Sequence, residues 1–141
     1  MKNIIILLVL CGLLSCNQTS RSVADPSQLN GYWEIDGVTK KDGTMRDFTI
    51  STTVDFIEVK DSMGVRKKVN PKLDGSFTTS TDFETFVVTT HNDSIRLKYQ
   101  TPFNQWDEVL LSTTDSTFTT MNEEGNIYHY KRFAPFNFTS K

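Results

Sequence analysis

The chain has 141 residues and a formal charge of −2, a length that builds one domain around one core and is too short for two. Acidic and basic residues are spread along it without a basic stripe, which argues against a nucleic-acid partner. Cys11, Cys16, His91 and His129 are the only thiols and imidazoles, and none stands at a spacing that metal sites or nucleophilic triads use. No metal, no cofactor and no catalysis are expected.

The first element is an export signal. Lys2 is followed by an apolar stretch from Ile4 to Leu14, too short to cross a bilayer as a helix, which needs about 20 residues. Its end, Leu13-Leu14-Ser15-Cys16, resembles the bacterial lipobox. That resemblance implies that residues 1–15 are removed and that Cys16 becomes the first residue of the mature chain, carrying acyl chains such as palmitate. Two or more such chains hold a protein to a membrane far better than one. Cys11 leaves with the signal and acylation consumes the thiol of Cys16, so the fold is expected to stand on packing without a disulfide.

Residues 16–28 are polar and aperiodic and read as a tether, so the folded domain is expected over 29–141. The first acidic residue after Cys16 is Asp25, which favours an outer-membrane location with the domain facing the periplasm. From Leu29 onward, runs rich in Val, Ile, Thr, Phe and Tyr alternate with Gly, Asp, Asn and Pro at roughly ten-residue spacing. Strands are predicted near 30–38, 50–60, 64–70, 76–80, 83–91, 94–100, 105–113, 116–122 and 126–133, joined by tight turns such as Asp42-Gly43, Asp74-Gly75 and Glu123-Glu124-Gly125-Asn126.

Short turns make consecutive strands antiparallel, so the fold is all-β: a small up-and-down barrel of about eight strands, which closes the sheet edges, or alternatively a β-sandwich. Ile95, Leu97 and Tyr99 define one inner face by alternation. The basic run Arg66-Lys67-Lys68 is expected on a solvated strand face, and the carboxylate pairs Asp82 and Glu84, Asp107 and Glu108, and Glu123 and Glu124 on solvated rims.

Leu29-Asn30-Gly31-Tyr32-Trp33 resembles the Leu-x-Gly-x-Trp opening of lipocalin-like domains, and Tyr128-His129-Tyr130-Lys131-Arg132-Phe133 resembles the last strand of lipocalin-like lipoproteins of Gram-negative bacteria. The resemblance spans about residues 29–133 and implies a barrel whose floor is closed by Trp33, with a basic residue of the last strand packed over it: Arg132, with Lys131 as competitor.

By the same analogy the expected function is an anchored module that binds one small apolar or amphipathic ligand, its pocket bounded by Phe56, Leu97, Tyr99, Trp106 and Tyr130. The inner set also includes Phe77, Phe86 and Tyr128, bulky enough to fill the barrel instead. A filled barrel implies a non-enzymatic structural or assembly factor that meets another envelope protein. Three Asp-Ser turns place Ser62, Ser94 and Ser116 in a context that some Gram-negative bacteria O-glycosylate; hairpin capping explains the same residues.

Overall fold

A computed structural model describes residues 24–49 and 52–135. The expected signal 1–15, Cys16 and most of the tether lie outside the described residues, as do 136–141. The chain starts with a 3₁₀ turn, Pro26–Leu29, set by Asp25, whose carboxylate accepts a hydrogen bond from the Ser27 amide. Ten strands follow: β1 (Gly31–Thr39), β2 (Met45–Asp47), β3 (Val54–Lys60), β4 (Met63–Pro71), β5 (Phe77–Thr79), β6 (Glu84–His91), β7 (Ser94–Gln100), β8 (Gln105–Thr113), β9 (Thr117–Asn122) and β10 (Ile127–Arg132).

Eight of them, β1, β3, β4, β6, β7, β8, β9 and β10, form a continuous antiparallel sheet that closes where β10 pairs with β1. The sandwich alternative is excluded by that closure. Strands β2 and β5 are short additions on β1 and β4. Strand β2 carries no alternation signal, because Met45, Arg46 and Asp47 are all exposed and alternate no apolar face. Of the strand expected over 50–60, residues 50 and 51 lie outside the described residues and β3 spans Val54–Lys60.

The barrel has unlike ends. At one end lie the hairpins between β3 and β4, β6 and β7, and β8 and β9, together with the 3₁₀ turn; at the other lie the connections after β1, β4, β7 and β9. Leu29, Trp33, Ile57, Leu97, Leu110 and Phe118 pack as part of one buried cluster, and Trp33 Nε1 donates to Leu29 O at 2.7 Å, so the end carrying the 3₁₀ turn is closed. The opposite end is the mouth.

Two aromatic residues expected inside are outside. Trp33 faces in and its register partner is Asp55, which forces Phe56, the partner of Tyr32, to face out. Phe77 joins it there: Tyr32 stacks on Phe77 at 4.4 Å and lies 4.9 Å from Phe56, and Phe133 meets Phe77 edge-on at 5.9 Å. These rings form a small outer cluster beside β5.

Candidate functional site: the floor and the mouth

At the closed end the guanidinium of Arg132 lies 3.7 Å from the centre of the Trp33 indole. It is held there by backbone oxygens: Nη1 donates to Asn30 O at 2.7 Å, Nη2 to Gln28 O at 3.3 Å and Nε to Asp115 O at 3.1 Å. Gly31 explains its own place in the opening motif. Its φ of +122° suits glycine, and a Cβ there would stand 2.6 Å from Arg132 Nη1. Lys131 points the other way, to Asp36 Oδ1 at 2.9 Å and Glu34 Oε1 at 3.5 Å on the neighbouring strand.

The expected pocket residues divide. Leu97, Tyr99 and Tyr130 are buried together, with Trp106 stacked on Tyr99 at 5.1 Å and Phe118 on Tyr130 at 4.3 Å. Phe56 shares no face with them. Gly64 carries no side chain inside the barrel, and the Phe86 ring fills the vacated space, so the lower interior is solid.

Above this aromatic layer the interior is charged, which the sequence reading missed. Arg66 and Glu108 are each only 8% exposed. Arg66 Nε donates to Glu84 Oε2 at 2.5 Å, Nη1 lies 3.5 Å from Glu108 Oε1, and the guanidinium stands 4.3 Å over the Tyr99 ring. Trp106 Nε1 completes the set by donating to Glu108 Oε1 at 3.2 Å. Burial alone would lower the Arg66 pKa, but Tyr99, Glu108, Tyr130 and Glu84 around it hold it well above the ordinary arginine value. The phenols of Tyr99 and Tyr130 are driven far above the usual tyrosine value, first by burial and only partly offset by Arg66.

Also on the mouth side, Asp55, 4% exposed, is paired with Lys68, whose Nζ lies 2.5 Å from Oδ1. Alternation carries the signal for these groups: Arg66 and Lys68 share a face with Gly64, and Glu108 sits between Trp106 and Leu110 at two-residue spacing.

Two adjoining cavities open at the mouth and share Lys68 and Ser80 as walls. The larger, about 840 Å³, has Arg66, Lys68 and Glu84 on its floor and Phe83, Pro102 and Phe103 on its rim. The smaller, about 470 Å³, is bounded by Asp55, Lys68, Asn70 and Tyr130 among others. Phe103 is 97% exposed at the tip of the β7–β8 connection, and Leu73 and Phe83 are exposed on neighbouring connections. Of the five expected pocket residues only Tyr130 lines either cavity; Leu97 and Tyr99 belong to the packed layer beneath.

Ser62, Ser94 and Ser116 all lie in hairpins of the closed end. Asp61 and Asp93 adopt φ of 56° and 59° there, and the Ser116 amide donates to Thr114 Oγ1 at 3.3 Å, as tight-turn chemistry requires. His129 Nε2 pairs with Thr39 Oγ1 at 2.8 Å on the barrel wall. Among the described residues no group of His, Cys, Asp and Glu is disposed to hold a metal, and no helix is long and apolar enough to cross a membrane.

No protein-family model matches this sequence, and no curated protein does. Among solved structures, a lipocalin-like protein from Bacteroides uniformis overlays with a TM-score of 0.47 at 12% identity, covering 75% of this chain and 99% of the other. An uncharacterized protein from Bacteroides eggerthii overlays with a TM-score of 0.46 at 11% identity, covering 74% and 99%. Similarity of that size carries no argument about this chain's chemistry; the barrel stands on its own strand pairing.

Proposed function

We propose that this chain is a non-catalytic binding module of the cell envelope, lipid-anchored through Cys16 to the outer membrane and facing the periplasm, which holds a small amphipathic molecule at the barrel mouth. The observation that supports ligand binding is the pair of adjoining cavities, about 840 and 470 Å³, between a charged floor and an apolar rim. Volumes of this size suit small organic ligands, and a few polar groups among apolar walls fix orientation. The solid aromatic layer beneath excludes a ligand threaded down the axis, so the occupant sits high in the barrel. Native mass spectrometry of the protein recovered from cells tests both halves of the reading. Acyl mass on Cys16 and a co-purifying small molecule are expected, and an unmodified cysteine or a mouth that binds nothing in titration removes the corresponding half.

The reading as an assembly factor for another envelope protein draws on the same rim. Phe83 and Phe103 stand exposed on the rim of the larger cavity from sequence-distant connections, as contact residues of a protein interface do. Substituting Phe103→Ser separates the readings: loss of a co-purifying protein favours the partner, and weakened small-molecule binding alone favours the ligand.

A further inference from the structure

We infer that the mouth selects a ligand bearing a cation, an organic ammonium or guanidinium, and that Lys68 occupies the cation's place at Asp55 when the site is free. This rests on the reading of the mouth as a ligand site and names the chemistry of its occupant.

Three observations carry it. First, the balance of groups is acidic. Asp55, Glu84 and Glu108 face Arg66 and Lys68, and on the rim Asp82 adds a fourth carboxylate against a third cation, Lys67, over the Phe83 ring. Second, the Arg66 charge is already compensated, its Nε by Glu84, its Nη1 by Glu108 at 3.5 Å and its face by the Tyr99 ring, so it offers an incoming anion little attraction. Third, Asp55 is a buried carboxylate on a cavity wall, and the cation that compensates it is Lys68 Nζ, 2.5 Å from Oδ1, carried on a largely exposed side chain. A buried carboxylate needs a cationic partner, and one brought by a ligand serves as well as one brought by a surface lysine.

Lys68 is poorly suited to remain as that partner. Its side chain is 57% exposed, and holding a long flexible side chain in one geometry costs rotamer entropy. A ligand ammonium entering the smaller cavity displaces the Lys68 ammonium toward solvent, aligns with Asp55, and lies beside Tyr130. Its apolar body then extends past Lys68 and Ser80 into the larger cavity toward Phe83 and Phe103. The polar end of the ligand therefore points into the barrel and its apolar end outward.

The test uses three probes with one body, 3-phenylpropylamine, 3-phenylpropanol and 3-phenylpropanoate, titrated calorimetrically into the full chain against a protein-free blank of the same medium. The amine is expected to bind at least tenfold more tightly than the alcohol or the acid. Asp55→Asn is expected to bring the amine down to the level of the alcohol, and Lys68→Gln, which removes the competitor, to tighten the amine several-fold and leave the alcohol unchanged. An acid that binds as well as the amine, or an amine indifferent to both substitutions in variants that melt like the parent, overturns the cation assignment and leaves a mouth of different selectivity. Failure of all three probes to bind overturns the mouth as a site for molecules of this size, and the assignment with it.

Discussion

Trp33, Arg132 and Gly31 form one arrangement in which each residue type is dictated by the others. The indole is buried and hydrogen-bonded to Leu29 O, the guanidinium covers its face, and the absence of a Cβ at position 31 leaves room for that guanidinium. Trp33→Ala removes buried volume and is expected to destabilise the barrel by about 3–5 kcal/mol. Arg132→Ala removes a cation–π contact of about 0.5–2 kcal/mol and is expected to cost less in the same denaturant titration. Gly64 is a second dictated glycine, because the Phe86 ring occupies the space its Cβ would need. Gly64→Ala is expected to lower stability by about 1–3 kcal/mol through overpacking, and Phe86→Leu in the same chain to return part of that loss. The sequence exposed the first arrangement because its members carry recognisable types at the two chain ends. It concealed the second, since a glycine opposite a phenylalanine is a cross-strand fact.

The strands show where alternation suffices and where register decides. Strand β7 reads correctly from its own residues: Leu97 and Tyr99 are buried, and Arg96 and Lys98 are exposed. Strand β3 does not, because Val54, Phe56 and Ile57 are apolar on both faces and only pairing with β1 turns Asp55 inward. In β4 and β8 charge itself misleads: Arg66 and Glu108 have the composition of a solvated rim and the position of a core, and each is tolerable only because the other is present. Arg66→Met therefore strands two carboxylates and is expected to cost about 3–5 kcal/mol, with Glu108→Gln in the same chain recovering part of it in a double-mutant cycle. The buried phenols of Tyr99 and Tyr130 give a second expectation. Their folded-state pKa values lie well above the unfolded value near 10, so the native state keeps its phenolic protons where the unfolded state has released them. Stability then falls as pH rises above about 10, by up to about 1.4 kcal/mol per pH unit for each tyrosine. Tyr99→Phe and Tyr130→Phe should each flatten that alkaline slope in urea titrations, and an unchanged slope would show that other groups set it.

For the whole molecule, closure between β1 and β10 brings the two described ends together at the closed end, where Arg132 reaches Asn30 across 102 residues of chain and the Phe133 amide donates to Tyr32 O at 2.9 Å. A circular permutant joining residues 24 and 135 through a short flexible linker and opened at Asp74-Gly75, an exposed turn, is expected to fold to the same circular-dichroism spectrum with a similar melting midpoint. A chain stopped at Gly125 lacks β10 and is expected to self-associate in sedimentation experiments, because β1 and β9 then present unpaired edges.

That seam also shapes the molecule's biogenesis. Bringing strands about a hundred residues apart into register carries a loop-closure entropy of about 4 kcal/mol, and topologies dominated by such pairings fold slowly. Synthesis runs from the amino end, so β1 emerges early and waits for its partner until nearly the whole chain has been made. During that interval the edge that will later be sealed by Arg132 is open to any other extended chain nearby. The place that anchors the finished barrel is thus the place where the growing chain most needs a holder.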